Sequence, residues 1–267
     1  MSDAGVAWPT RVVGVDFSGA ADAGRKLWLA HGERRGDTLV LDDCRPAERL
    51  PGGGRGREQA LAALRAFLLT QGSCAVGLDA PFSLPRPLLD APSWEAFVAA
   101  FADRFPSAEV LRAVCRARCP REVKRATEAA ARVPFAAWNV RLYRQTYHAI
   151  RDVLAPLVLT GRAVALPFQS PHPGVPWLLE VCPAATLKRW GWYRPYKGRT
   201  LAHAAARVAI LDRLVAAGVR LPDGVRQEAL ADPKGDALDA LLAAWVAARA
   251  VPIAAGSRCA WEGCLYL

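Results

Sequence analysis

The chain has 267 residues, of which 52% are hydrophobic and 22% are charged, and its formal net charge is +10. These proportions are those of an ordinary globular protein. No apolar run reaches the roughly 18 residues that a membrane-spanning helix needs. The N-terminal segment MSDAGVAWPT also lacks the basic start and apolar stretch of a secretory signal. We therefore expect a cytoplasmic protein that makes no membrane contact.

Three segments near the N-terminus predict an antiparallel meander of strands. The segment 11–17 is an apolar run that ends next to an aspartate and is followed by Ser-Gly, a turn signal. The segments 26–31 and 38–41 follow as two further strands, and the polar stretch 32–37 between them predicts their turn.

The next elements alternate between helix and strand. Residues 58–70 have the apolar spacing of a helix, and residues 74–79 form a second apolar strand that ends at an aspartate before Ala-Pro. Later in the chain, the pattern predicts a strand over 175–182, alanine-rich helices over 201–217 and 236–250, and a short edge strand over 264–267.

Residues 86–167 predict a helical insertion within a single domain that spans residues 1–267. Apolar residues recur there at helical spacing, and several prolines divide the region into short helices. Between Arg112 and Arg151 the chain carries ten Lys or Arg residues against two Glu. This basic insertion would attract phosphates electrostatically, but a solvated arginine-rich surface explains the same composition.

The order of these elements predicts the fold class. A meander of three strands, a helix, a fourth strand, the insertion, and then a strand and helices is the order of an RNase H-like α/β fold. Such a fold has a mixed sheet flanked by helices. The helical insertion follows the fourth strand.

Carboxylates lie where these elements begin or end. Asp16 ends the first strand, Asp79 ends the fourth, and Glu180 lies near the end of the next long strand. Asp236 and Asp239 open a helix, and their i, i+3 spacing places both on one face. Two Mg²⁺ ions about 4 Å apart on such oxygen ligands align a water with a phosphodiester. Each residue alone is also explained as a cap of a turn or helix.

Six segments resemble the motifs of a bacterial and archaeal family, in the family's order over about residues 11–267. They are VVGVDFSGA, GLDAPFSLP, VPFAAWNVRLYRQTYHAI, EVCPAATLKRWG, DALDALLAAW and EGCLYL. The family is domain of unknown function number 429, described as predicted RNase H-like nucleases. The nuclease label of that family is itself inferred from fold.

The resemblance implies an RNase H-like fold with Asp16, Asp79 and Asp239 as acids that bind Mg²⁺ or Mn²⁺. The pair of Asp236 and Asp239 resembles the paired aspartates on the last helix of Holliday-junction resolvases. Glu180 matches the family's Glu-x-x-Pro motif and would complete the site or shape its edge. Relatives often carry Trp at the position of Cys264, a departure that concerns packing more than chemistry.

Two segments have the composition of a nucleic-acid contact, because aromatic faces stack on unpaired bases while basic side chains meet phosphates. The alternative is that the rings pack against the sheet and the charges lie on a loop. The candidate substrate-binding residues are Arg141, Arg144 and Gln145 in the insertion, and Lys188, Arg189, Trp192, Tyr193 and Lys197 in the segment KRWGWYRPYKGR.

The cysteines and one histidine allow further roles. Seven cysteines without an export signal indicate reduced thiols. Cys115, Cys119, Cys259 and Cys264 have a spacing that also allows a zinc site, although a two-residue spacing within each pair is more typical. His148 is a candidate proton shuttle, or an ordinary helical residue.

Three functions remain open on the sequence. The first is a metal-dependent nuclease that acts on DNA or RNA. The second is a phosphate-recognising enzyme related to ATP-using sugar kinases, which a single copy of the fold and the lack of a phosphate-binding glycine motif argue against. The third is a catalytically silent nucleic-acid-binding or scaffold protein with the same fold. The first is our main hypothesis, and the third is the alternative.

Overall fold

A seven-stranded mixed sheet forms the centre of the fold in the computed structural model, which describes residues 7–251, 253 and 259–267. The strand order is β5-β6-β4-β1-β2-β3-β7. The first three strands form an antiparallel meander, and the other neighbours pair in parallel. The strands are β1 (Arg11–Asp16), β2 (Trp28–Arg35), β3 (Thr38–Pro46), β4 (Cys74–Asp79), β5 (Val164–Leu166), β6 (Trp177–Glu180) and β7 (Val219–Arg220).

Helices cover both faces of this sheet, so the α/β class and the RNase H-like arrangement expected from the element order are confirmed. None of the helices within the described residues has the length and hydropathy needed to cross a membrane. The helices are α1 (Arg57–Thr70), α2 (Trp94–Ala99), α3 (Phe101–Arg104), α4 (Ala108–Arg118), α5 (Ala126–Ala130), α6 (Tyr143–Ala149), α7 (Ala155–Val158), α8 (Pro183–Arg189), α9 (Leu201–Ala216), α10 (Asp223–Ala231), α11 (Asp236–Arg249) and α12 (Cys259–Glu262).

The meander differs from the expectation in the length of its hairpin. The turn predicted over 32–37 is wrong, because β2 continues to Arg35 and only Gly36 and Asp37 connect it to β3. Gly36 adopts a positive φ of 61°, which suits a two-residue hairpin turn. The polar residues at the end of β2 lie at the partly exposed tip of the hairpin, where a strand tolerates them.

The sequence pattern did not predict two short strands. β5 has three residues and β7 has two, too few for an alternating pattern to be recognised. β5 belongs to the sheet, so the last residues of the segment 86–167 are part of the central architecture. The edge strand expected over 264–267 is reduced to one parallel bridge between Val181 and Tyr266.

The insertion packs against the sheet as part of one hydrophobic core. Its aromatic side chains, such as Phe101 beside Tyr147 with ring centres 5.7 Å apart, share that core with Val13 and Val15 of β1. At Gly19, just after β1, an added Cβ would overlap the backbone of Arg144. The start of α6 is therefore held directly against the end of β1.

On the other face of the sheet, α11 packs in close contact with the two central strands, β1 and β4. Gly14 of β1 and Gly77 of β4 are partners in the strand register. A Cβ on either would overlap the α11 backbone, at Ala240 and Ala244 for Gly14 and at Ala243 for Gly77. The missing side chains let the helix approach closely, and the first turn of α11 consequently lies over the ends of β1 and β4.

Candidate functional site

Two aspartates meet at the carboxyl ends of the central strands. Asp16 is the last residue of β1 and Asp79 the last of β4, and they are direct partners in the parallel register. Neighbouring strands lie about 4.8 Å apart, so the two side chains leave the sheet side by side. Asp16 is buried at 8% exposure, and Asp79 is partly buried.

The first turn of α11 adds Asp236 and Asp239 to this edge. Asp232 caps the helix by accepting a hydrogen bond from the Ala237 backbone N–H at 3.0 Å. Gly235 precedes the helix in the left-handed conformation at φ 77°. This start leaves the side chains of Asp236 and Asp239 available to the site, and Asp239 is 3% exposed. We call Asp16, Asp79, Asp236 and Asp239 the carboxylate cluster.

The members of the carboxylate cluster act on one another electrostatically. Burial first, and then the charges of Asp239, Asp79 and Asp236, raise the pKa of Asp16 well above its usual range. Burial and the Asp239 carboxylate raise the pKa of Asp79 to about 8. Four carboxyl groups in a partly desolvated place cannot all be ionised without a compensating cation.

Lys197 is the cation that the structure places in this cluster. Its Nζ lies 2.6 Å from Oδ2 of Asp239, while the Tyr196 hydroxyl donates to Oδ1 of Asp239 at 2.6 Å. Partial burial opposes the charged ammonium, but Asp239 and Asp16 outweigh it and raise the pKa of Lys197. The side chain of Lys197 is still 51% exposed, so its ammonium also has access to solvent.

A buried arginine holds the backbone on both sides of Lys197. Arg207 of α9, only 4% exposed, donates through Nη1 to the carbonyl of Tyr196 at 2.8 Å and to that of Gly198 at 3.0 Å. Its Nε donates to the carbonyl of Leu230 at 3.2 Å. The loop that presents Lys197 is therefore fixed to α9.

The carboxylate cluster has the ligand chemistry that a hard divalent cation requires, but its side chains are not arranged around a single ion. Mg²⁺ and Mn²⁺ prefer carboxylate oxygens, and a bound cation would allow the crowded carboxyl groups of the cluster to ionise together. Within the described residues, no group of three or more His, Cys, Asp or Glu side chains is arranged to hold a metal ion. Lys197 occupies Oδ2 of Asp239, so a cation that takes this oxygen would have to displace its ammonium.

Glu180 is held by a buried arginine and a backbone amide. Its Oε2 accepts from Arg125 Nη1 at 2.7 Å and from the Phe82 backbone N–H at 3.0 Å, and its Oε1 pairs with Arg125 Nη2. Arg125 also donates to Glu128 at 2.9 Å. All three charged side chains are buried. Glu180 thus ties the loop after β4 to the insertion and leaves neither oxygen unpaired for a metal.

The predicted substrate residues of the insertion lie at the same edge but face different partners. Gln145 donates a hydrogen bond to the carbonyl of Asp79. Arg141 is exposed and lies over the Phe135 ring at 4.9 Å. Arg144, by contrast, forms an exposed ion pair with Glu109 at 3.0 Å, so its charge is partly neutralised.

The segment from Lys188 to Lys197 runs along α11 and does not form one stacking surface. Trp192 is partly buried against Trp245 at 5.3 Å, which is the packing alternative considered for these rings. Tyr193 is 46% exposed, and Lys188 lies over its ring at 5.3 Å. Arg189 is exposed as well. Of the predicted substrate residues in this segment, only Lys197 contacts the carboxylate cluster within the part of the chain that the structure describes.

The cysteines do not form the zinc site considered above. Cys259 and Cys264 form a disulfide with a Cα–Cα distance of 5.1 Å, so the expectation of reduced thiols throughout is wrong for these two. Cys115 is a buried free thiol and Cys119 is partly buried. The spacing of Cys259 and Cys264 reflects a loop closed on itself at α12.

His148 lies in the helical insertion rather than in the carboxylate cluster. It is 6% exposed, and its Nδ1 lies 2.7 Å from Oδ2 of Asp152 one helical turn away. The charges that shift the pKa of Asp16 and Asp79 do not include it. This geometry matches an ordinary buried histidine paired along a helix.

Comparison with protein families places the chain in a known group. The profile of the family described as "Protein of unknown function (DUF429)" matches residues 14–262. The chain belongs to this family. No curated protein and no solved structure matches it at a significant level.

Membership in DUF429 assigns no activity, since the family's own description gives none. The matched span contains the whole carboxylate cluster, together with Arg125, Glu180 and Lys197. Arg125 and Arg207 were missed as candidates because they carry no local signal, one in a basic stretch and the other in an alanine-rich helix. Gly14 and Gly77 could have been recognised from the sequence, since each is a glycine inside a predicted strand, two residues before the aspartate that ends it.

The crowding of the cluster predicts how stability depends on pH in the absence of metal. Asp79 has a folded pKa of about 8, against about 3.9 in an unfolded chain. The folded protein therefore binds more protons than the unfolded chain between these values, and its free energy of unfolding falls as pH rises through this range. We expect Asp79→Asn to raise that free energy by roughly 1–2 kcal/mol at pH near 8.

Urea unfolding in EDTA at pH values near 5 and near 8 measures this effect. The difference between Asp79→Asn and the unchanged protein should be small at the lower pH and larger at the higher one. An equal difference at both values would show that the carboxyl of Asp79 is not held protonated by the fold. Asp223→Asn, an exposed change at the start of α10, is the matched control.

Proposed function

We propose that this DUF429 protein is a metal-dependent nuclease that hydrolyses phosphodiester bonds of DNA or RNA. Mg²⁺ or Mn²⁺ would be held by Asp16, Asp79, Asp236 and Asp239. The observation that carries the proposal is the mutual crowding of these carboxylates at the ends of two strands in register. Such a concentration of partly buried carboxyl groups with raised pKa values is costly for stability and is typical of functional sites.

The residues around the cluster have definite tasks in this proposal. Divalent ions bound there would activate a water and neutralise charge on the phosphate. Tyr196 orients Asp239 through its hydrogen bond. Lys197, held by Arg207 and half exposed, would turn from Asp239 to a phosphate oxygen when a metal takes its place. The exposed Arg141 would meet the backbone of the strand.

One observation supports the alternative of a catalytically silent nucleic-acid-binding protein. The contact of Lys197 with Asp239 at 2.6 Å already neutralises part of the cluster. If that pair is permanent, it replaces the metal, and the basic insertion would bind nucleic acid without cleavage. Metal affinity separates the two functions, because the nuclease requires a cation to compete with Lys197.

Metal binding is therefore expected to respond to Lys197. Mg²⁺ or Mn²⁺ should raise the melting temperature, by about 2–4 °C for each kcal/mol that the bound ion adds to the free energy of unfolding. Lys197→Met removes the competing ammonium and should tighten metal binding roughly tenfold. Lys188→Met, which removes an exposed lysine that lies over Tyr193, should leave the affinity unchanged. Calorimetric titration measures both.

Cleavage of labelled single-stranded, duplex and branched DNA and RNA tests the activity itself. We expect product with Mn²⁺ or Mg²⁺ and none with EDTA. Binding of a metal without cleavage of any of these substrates would contradict the nuclease. Absence of both metal binding and cleavage, with nucleic acid still bound, would establish the silent binding protein instead.

A further inference from the structure

A recess of about 190 Å³ opens beside the carboxylate cluster and takes no part in the chemistry described so far. Asp79 forms part of its lining. The volume equals that of about six water molecules, which is enough for one small ring system and far too little for a duplex. The other lining residues that matter here are Pro81, Phe135, Leu142, Gln145, Cys182 and Ala184.

The walls of the recess are apolar and include an aromatic face. Phe135 and Leu142 come from the insertion, and Pro81 and Ala184 lie on segments that follow β4 and β6. Phe135 is partly exposed, and the exposed guanidinium of Arg141 lies 4.9 Å from its ring. A flat apolar group would stack on such a wall, and a cation at its edge would suit an attached phosphate.

The charged groups that border the recess do not suit a phosphate inside it. Arg125, Glu128 and Glu180 contribute to its lining, and Arg125 donates hydrogen bonds to both carboxylates. One positive and two negative charges leave this group with a net charge of −1. Asp79 adds a third carboxyl group at the same border. An anion would be repelled from this place, whereas an uncharged ring would not.

A polar contact is available at the border between recess and cluster. Gln145 lines the recess, and its amide nitrogen donates to the carbonyl of Asp79. Within the described part of the chain, the amide oxygen of Gln145 has no hydrogen-bond donor. That oxygen can accept from an N–H group on the edge of a bound ring.

We propose that this recess binds one unstacked nucleobase of the strand whose phosphate lies at the carboxylate cluster. The inference rests on the proposed nuclease function for its substrate class. The base would stack on Phe135 and meet Gln145, while its phosphate remains outside, towards Lys197 and Arg141. The preferred substrate is then a single strand or a base that can leave its stack.

Binding measured in EDTA tests this inference without any cleavage. Fluorescence anisotropy compares a short labelled oligothymidylate with an abasic strand of equal length. We expect the base-bearing strand to bind at least about fivefold more tightly, because a stacked base contributes that much or more. Phe135→Ala removes the stacking wall, and Ala184→Trp fills the recess. Both should lose this preference and keep the affinity for the abasic strand.

Phe67→Ala is the matched control, since Phe67 is a partly exposed ring that stacks on His31 at 5.4 Å away from the recess. It should keep the preference for bases. Equal binding of base-bearing and abasic strands by the unchanged protein would overturn the inference, as would a preference that survives both recess variants.

The cleavage assay distinguishes a failure of this inference from a failure of the proposed nuclease function. A base preference that depends on Phe135, found without cleavage in Mg²⁺ or Mn²⁺, supports the recess and contradicts the nuclease. Metal-dependent cleavage with equal binding of abasic strands supports the nuclease and contradicts the recess.

Discussion

Replacing Asp16 with asparagine is expected to lower metal-dependent cleavage by about 10²–10³-fold or more, while the protein remains folded. Asp16 is the most central member of the carboxylate cluster, because Asp239, Asp79 and Asp236 all act on its pKa. Asparagine keeps the shape of the side chain but removes the negative charge that a divalent cation requires. Initial rates with Mn²⁺, under conditions where the unchanged protein is active, measure the loss.

Two further measurements make the result of Asp16→Asn specific. The increase in melting temperature on addition of Mn²⁺ should shrink in the variant, because one ligand is lost. Its stability in EDTA should be equal or higher, since the substitution relieves the crowding around Asp79 and Asp239. Asp223→Asn should retain full activity. A variant that cleaves at the original rate would place the catalytic site elsewhere or identify a contaminating nuclease.

Gly14→Ala is expected to destabilise the fold by about 2–4 kcal/mol and to reduce activity as well. A Cβ at this position would lie 2.8 Å from Cα of Ala244 and overlap other backbone atoms of α11. Backbone cannot move aside as a flexible side chain does, so the helix must shift away from β1. That shift would also carry Asp239 away from Asp16 at the end of the same strand.

Urea unfolding of Gly14→Ala, compared with Gly224→Ala, measures the cost of this contact. Gly224 lies in α10, and an added Cβ there would meet no atom within 4 Å. The control should be neutral or more stable by up to about 1 kcal/mol, since alanine favours a helix over glycine. Equal stability of Gly14→Ala and the unchanged protein would mean that the close packing of α11 on β1 does not require glycine at this position.

The strand-end aspartates illustrate what a local pattern predicts well. The apolar runs that end at Asp16 and Asp79 have the length and composition of buried strands, and the structure places β1 and β4 there. The alanine-rich helix from Asp236 was equally recognisable from its composition. These patterns are local, because the burial of a strand or helix face determines which residue types occupy successive positions.

Glu180 and Arg125 illustrate where a local pattern is not sufficient. Glu180 lies in a motif that resembles the family's and Arg125 in the basic insertion, but they are 55 positions apart in the chain, and their buried pairing depends on how the insertion folds back. The strand-end position of Glu180 therefore left open whether it completes the site or shapes its edge, and it gave no sign that a distant arginine pairs with both its oxygens.

The amino-acid sequence by itself predicted the fold class, because periodicity and composition record which faces are buried, and its motifs carried the resemblance to the family and pointed to the acidic residues. The tertiary structure alone decided that Lys197 lies on Asp239, that Glu180 belongs to Arg125, and that a recess opens beside Asp79. The physical reason is that charge neutralisation and cavity shape depend on groups that only the folded chain brings together.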